Sequence, residues 1–288
     1  MRTSRIETCQ GGLFIVGSNG LIGSWLEEEL LRELKGQAAT QQWQYASRDY
    51  AEVNTGLMDK FESSSEVIFC GGVGGFSITQ ESYKLQEEDF EYFCRSIGAI
   101  DKTEHFTCIS SLGAIVSSHE SPYKSLIQSR ERILKDTVKS GYTLVRAPSL
   151  YGYNRITGKA RGLIAVLLAD SLNNKASSLF GRLDTSRNYL SLETACASIA
   201  RTIARRPKGM CKRTLNLMAS KNYTIRELCS EVTRAVQKVP MLRLLEGQSV
   251  DWESHYPRKA DGTKVELVDD VHGWLCKNLQ SNCRGSQL

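Results

Sequence analysis

Three glycines at a spacing of three, Gly17, Gly20 and Gly23, follow the apolar run Leu13-Phe14-Ile15-Val16 and precede a segment with helical apolar periodicity. So tight a turn between strand and helix needs backbone angles that glycine adopts cheaply. The missing side chains also let a phosphate approach the backbone, where free N–H groups at a helix N-terminus hold it. Gly17, Asn19, Gly20, Leu21, Ile22 and Gly23 are therefore candidates to bind a nucleotide cofactor.

A second stretch bears on the same ligand. A strand expected over 42–47 ends in Ser47-Arg48-Asp49. At that place in a dinucleotide fold an acid accepts from the ribose hydroxyls of NAD, whereas an arginine pairs with the extra phosphate of NADP. Arg48 beside Ser47 points to NADP, and Asp49 leaves NAD open.

The elements that must carry these residues read as alternating strands and helices. Short, largely apolar strands are expected over 13–17, 42–47, 67–70, 106–110 and 142–146, as suits strands buried on both faces. Helices are expected over 24–35, 90–97 and 122–139, the last with the stripe Leu126, Ile127, Ile133, Leu134 and Val138. That alternation predicts a parallel sheet built from crossovers. The second half is less regular. Helices are expected over 162–172, 194–205, 224–239 and 265–275, with extended segments at 178–181, 188–192 and 215–218 and a frayed tail after 278. Thr224 with Glu227 forms a capping box for the third of these helices, and Pro240 ends it.

Composition narrows the function classes. The 288 residues are 41% hydrophobic and 24% charged, as in an ordinary globular protein. The net charge of +5 is spread out, apart from Arg205-Arg206-Pro207-Lys208 and Lys212-Arg213, which argues against a nucleic-acid partner. No window approaches the ~20 apolar residues of a membrane span, and the polar stretch 1–10 does not read as a signal peptide. Nine cysteines without a Cys-x-x-Cys pair fit reduced thiols in a cytoplasmic protein. The four histidines lie far apart, so no metal is expected.

Five segments together resemble the extended short-chain dehydrogenase/reductase family, in its branch of nucleotide-sugar epimerases, dehydratases and reductases. They are the Gly17/Gly20/Gly23 loop; Cys70-Gly71-Gly72, where the family passes the adenine ribose; and Ile109-Ser110-Ser111-Leu112-Gly113 with Tyr123 beyond it. The fourth, Val145-Arg146-Ala147-Pro148-Ser149-Leu150-Tyr151-Gly152, has its proline one place later than the family. The last is Leu179-Phe180-Gly181 followed by Arg187-Asn188-Tyr189-Leu190.

The resemblance implies a Rossmann-type doubly wound α/β sheet with a smaller mixed α/β C-terminal substrate domain. Residues 11–150 would bind the dinucleotide and 151–278 mainly the substrate, with 188–206 returning to the first domain. It further implies cofactor contacts from Cys70, Gly71 and Gly72. Tyr123 would be the proton-transferring tyrosine, Ser111 the hydroxyl that hydrogen-bonds the same substrate oxygen, and Arg187 the group on the substrate diphosphate. The partner would be a nucleotide sugar, and a homodimer would form through the helix 122–139.

In the family a lysine four residues after the tyrosine holds the nicotinamide ribose and lowers the tyrosine pKa. Residues i and i+4 share a helix face, which is why that spacing serves one ligand. Here Ile127 occupies the place, Lys124 lies about 100° round the helix, and Arg130 is on the right face two turns on. Thr194 stands where many relatives have aspartate. Two functions follow: an NAD(P)-dependent oxidoreductase of a nucleotide-linked sugar, or a member that binds a dinucleotide without turning over.

Overall fold

The computed structural model describes residues 12–34, 40–43, 64–72, 80–98, 105–116, 121–180, 182–206, 212–245 and 261–285. Its largest feature is a seven-stranded, wholly parallel sheet. The strands are β1 (Gly12–Val16), β2 (Thr40–Trp43), β3 (Ser64–Phe69), β4 (His105–Ser111), β5 (Gly141–Ala147), β10 (Lys212–Ala219) and β13 (Thr263–Leu267), in the order β13-β10-β5-β4-β3-β1-β2.

The period-2 alternation of β1 sends successive side chains to opposite faces. Leu13 and Ile15 pack with Leu26 and Leu30 of α1 (Gly23–Glu33) and with Ile199 and Ile203 of α6 (Leu192–Ala204). Phe14 and Val16 pack on the other face, with Phe90 and Phe93 of α2 (Gln80–Gly98) and Ile133 and Leu134 of α4 (Pro122–Thr137). Helices cover both faces, which makes the sheet doubly wound. The single turn α3 (Gly113–Val116) lies between β4 and α4.

A smaller mixed sheet joins β6 (Ser149–Tyr153), β7 (Ala160–Arg161), β9 (Ser186–Ser191) and β11 (Asn222–Thr224). With α5 (Leu163–Leu172), α7 (Ile225–Val236) and α8 (Val271–Gly285) it encloses a third apolar cluster containing Tyr151, Leu167, Tyr189, Leu228 and Leu275. A two-stranded pair, β8 (Ala176–Phe180) with β12 (Met241–Leu245), completes the described elements.

The elements expected from periodicity are largely present, with four corrections. The second helix begins at Gln80, ten residues before the expected start. α7 has its capping box from Thr224 and Glu227 but stops at Val236, because Gln237 turns left-handed at φ 57° before Pro240 is reached. Residues 265–275 are not one helix. Val265 and Leu267 pair with Leu217 and Ala219 as part of β13, and α8 starts only at Val271, where the Asp270 carboxylate accepts from the Gly273 N–H at 3.0 Å. A short apolar run reads as strand or helix alike until its neighbours are known. Finally, α8 runs past residue 278 to Gly285 instead of fraying.

Toward the N-terminal ends of the central strands lies a buried polar network. Thr107 donates to Glu66 at 2.7 Å, and Arg206 forms an ion pair with the same carboxylate. His105 Nε2 lies 2.9 Å from Thr143 Oγ1, and its Nδ1 is buried without a partner. Burial holds the imidazole down at about 3, aided by the positive charges of Arg206 and Arg213.

Candidate active site

Because the seven strands are parallel, their C-terminal ends share one edge, and in such sheets that edge is where ligands bind. It carries the 17–23 loop after β1, Cys70-Gly71-Gly72 after β3, and Ser110-Ser111 at the end of β4.

The glycine loop is closed by contact. Gly17 is left-handed, at φ +83°, and a Cβ on it would lie 3.1 Å from both the Cys70 carbonyl carbon and the Gly71 nitrogen. A Cβ on Gly23 would sit 2.2 Å from the Gly17 oxygen, so only glycine fits. Gly20 N–H donates to the Gly17 carbonyl at 2.9 Å, and Gly20 itself is exposed. Ile22, the N-cap of α1, offers no side-chain hydrogen bond to the first turn. Within that turn the Ser24 and Trp25 N–H groups donate at 3.1 Å to the Gly20 and Ile22 carbonyls, so what fits the loop to the phosphates of a dinucleotide is its bare glycine backbone at the positive end of α1. Asn154 steadies the loop from β6's side, its Nδ2 donating to the Asn19 carbonyl at 3.1 Å.

Ser111 and Tyr123 are brought together across Gly113. A Cβ on Gly113 would lie 3.2 Å from Ser111 Oγ and 3.6 Å from Tyr123 Cε1. Ser111 Oγ accepts from the Gly113 N–H at 3.1 Å, which leaves its own proton to donate elsewhere. Tyr123 occupies the first turn of α4. Ser121 caps that helix by accepting from the Lys124 N–H at 3.1 Å, and Pro122 follows at the first helical position. Tyr123 is 37% exposed.

Four residues later, Ile127 is buried at 8% exposure and fills core instead of facing a ribose. Arg130 is buried too, its guanidinium beneath Gly72. Glu131 pairs with Arg146 of β5 at 2.6 Å. Arg187 lies on β9, in the smaller sheet, opposite Tyr223, and its Nε is buried without a partner. Arg48 and its neighbours Ser47 and Asp49 lie outside the described residues.

Thr194 is met by a carboxylate from another segment. Ser191 caps α6, and Asp269, just after β13, supplies a carboxylate to this corner. Its oxygens lie 2.8 Å from Ser191 Oγ and 3.0 Å from Thr194 Oγ1, and accept from Tyr151 Oη at 2.7 Å. Asp269 lies 75 residues downstream of Thr194.

Sequence reasoning did not find Tyr83, Gln86 or Asp269. Tyr83 of α2 is buried, and its phenol is pushed up by burial and then by the neighbouring Tyr123. A cleft of about 700 Å³ between α2 and α4 is lined by Tyr83, Lys84, Ser121 and Leu126. It borders Tyr123's helix without including the Ser111 hydroxyl. Cys108, behind the site on β4, is held up at about 12 by burial, so no thiolate forms there near neutral pH. Among the described residues no group of three His, Cys, Asp or Glu side chains is placed to hold a metal, and no helix is long and apolar enough to cross a membrane.

No family model matches the sequence, and no curated protein matches it. Solved structures do match its fold. UDP-glucose 4-epimerase of Thermotoga maritima, solved with UDP-glucose, superposes with a TM-score of 0.68 at 14% identity, over 95% of this chain and 99% of that one. UDP-glucuronic acid 4-epimerase of Bacillus cereus, solved with NAD, gives 0.69 at 13% identity, over 92% and 96%. UDP-N-acetylglucosamine 4-epimerase of Methanobrevibacter ruminantium M1, solved with UDP-N-acetylmuramic acid, gives 0.67 at 13% identity, over 96% and 99%. The chain has the fold of NAD-dependent nucleotide-sugar epimerases. At these identities the likeness is one of fold.

Proposed function

We propose that the protein is a nicotinamide-dinucleotide-dependent oxidoreductase, a reductase or an epimerase, acting on a nucleotide-linked sugar. The observation that carries this reading is the Ser111–Gly113–Tyr123 arrangement on the same sheet edge as the glycine loop. Residues 17–23 and 70–72 would hold the dinucleotide, which when bound exchanges a hydride with a sugar carbon. Residues 151–278 would mainly hold the sugar nucleotide, with 188–206 serving the first domain, and residues 122–139 would form the homodimer contact.

The chain's own part is the proton. In reduction, the Tyr123 hydroxyl gives its proton to the oxygen of the sugar carbonyl as hydride reaches the carbon, so a ketone becomes an alcohol. Ser111 donates to the same oxygen and holds it in place. Arg187, with its planar fork and unfilled Nε, binds the substrate diphosphate. A neutral tyrosine suffices for this direction. The reverse step, which removes a hydroxyl proton, needs the tyrosinate, and the family's lysine that favours it is here the buried Ile127.

A second reading rests on that burial: the chain binds a dinucleotide and does not turn over. One experiment separates them. Purified protein is supplied with NADH or NADPH and a panel of nucleotide 4-ketosugars while nicotinamide absorbance is followed. Oxidation of either cofactor that Tyr123→Phe abolishes supports the enzyme. Tight binding of a dinucleotide with no consumption supports the second reading. The choice between NAD, seen in the similar epimerases, and NADP, suggested by Arg48, is read from the same assay.

A further inference from the structure

Among the described residues no carboxylate meets the buried cation Arg130. It follows Ile127 by one turn of α4 and is 8% exposed. Among the described residues no ion pair involves it; the adjacent Glu131 is taken by Arg146 and by the Ser110 hydroxyl. Its guanidinium rests against Phe90 and Phe69, with the guanidinium carbon 5.5 and 6.0 Å from the two ring centres. Both of its hydrogen bonds leave through Nη2, to the backbone and side-chain oxygens of Gln86 at 3.2 Å each. Nε is buried and unpartnered.

The remaining nitrogen, Nη1, faces Gly72. A Cβ there would lie 2.7 Å from it. Gly72 is exposed, with φ +129°, and stands one residue beyond the Cys70–Gly71 pair on which Gly17 packs. The unsatisfied end of the guanidinium therefore borders the crevice that begins at the glycine loop. Burying a charge without a counter-charge is costly. Such an arginine is held ready for an anion brought from outside, and a guanidinium is suited to phosphate oxygens.

We propose that Arg130 anchors the diphosphate of the bound dinucleotide through Nη1, so that α4 supplies to the cofactor, one turn later, a cation that position 127 does not. This rests on the reading above that the sheet edge binds a dinucleotide. Arg130 is a cofactor-binding residue in this proposal, and nothing places it on Tyr123's proton.

The test is calorimetric titration of the full chain with NAD, NADP and ADP, with adenosine as a control in displacement of bound cofactor, for the wild type, R130M and R130K. Methionine preserves the stem's volume. Wild type that takes up neither NAD nor NADP refutes the underlying function and is seen before any variant is made. Given binding, R130M is expected to weaken dinucleotide and ADP about 10- to 100-fold, the scale of a hydrogen bond to a charged group. Adenosine should displace as before, and R130K should recover most of the loss. Three results overturn the proposal: R130M binds like the wild type, adenosine weakens along with ADP, or R130M fails to fold, which would make Arg130 a structural residue.

Discussion

Arg146 of β5 and Glu131 of α4 form a buried ion pair, with Nη2 2.6 Å from Oε2 and side chains only 3% and 7% exposed. Arg146 Nε donates to the second carboxylate oxygen at 2.9 Å, and Ser110 Oγ donates to it at 2.7 Å. The pair thus ties α4 to β5 and to the end of β4. Ser110 precedes Ser111, and Glu131 lies eight residues after Tyr123 on one helix. The junction therefore joins the strand that carries Ser111 to the helix that carries Tyr123.

Removing one partner should leave the other buried and uncompensated. Arg146→Met is expected to lower unfolding free energy by about 3–5 kcal/mol, measured by urea titration. A loss below about 1 kcal/mol would mean that water relieves the junction and that it does not position α4.

The proposed mechanism gives Tyr123 the proton and Ser111 a hydrogen bond to the same oxygen. Tyr123→Phe is expected to reduce kcat about 10²- to 10⁴-fold, the range of general acid–base catalysis. Dinucleotide affinity should hold, and stability should change by no more than about 0.5 kcal/mol at so exposed a position. Turnover that survives the substitution would remove the proton donor from the mechanism.

Ile127→Lys tests the motif directly. The lysine would enter a site 8% exposed, so the melting temperature should fall. If the protein is an enzyme, kcat should rise and the rate profile should move to lower pH, since a nearby cation favours the tyrosinate. A folded variant with unchanged turnover would show that the chain has adapted to work without that cation.

Gly23→Ala should abolish dinucleotide binding. Its Cβ would sit 2.2 Å from the Gly17 oxygen and 2.7 Å from Ser18 Cα, so the loop must open. Loss of the fluorescence change on adding NADH or NADPH is the measurement. Retained binding would place the cofactor elsewhere.

His105 makes stability depend on pH with a definite sign. Its folded pKa is about 3 against about 6.5 unfolded, so between these values the unfolded chain binds a proton that the native one does not. Its contribution is complete above pH 6.5 or so and is lost at up to about 1.4 kcal/mol per pH unit as pH falls toward 3. Urea titrations from pH 7 to 5 should show a slope difference of that size between the wild type and His105→Asn. Parallel slopes would mean that His105 is charged in the native protein.

Local signals carried much of the fold. Alternation in 13–16 placed Leu13 and Ile15 on one face and Phe14 and Val16 on the other, because strand geometry has a fixed period. The Thr224–Glu227 box was legible because both its bonds span three residues. The 265–275 segment was not, because its strand half is defined by pairing with β10, from which it is separated by some 50 residues.

The glycine loop, the doubly wound sheet and the isoleucine at position 127 could be read along the chain, since each depends on residue type at short spacing. Which distant side chains meet is a matter of tertiary structure. Asp269 reaches Thr194 across the junction of two sheets, Ser111 meets Tyr123 across Gly113, and Arg130 lies beneath Gly72 with its Nε unpartnered. A charge acts over a few ångströms of space, and no periodicity along the chain records which distant segments have been folded to within that reach.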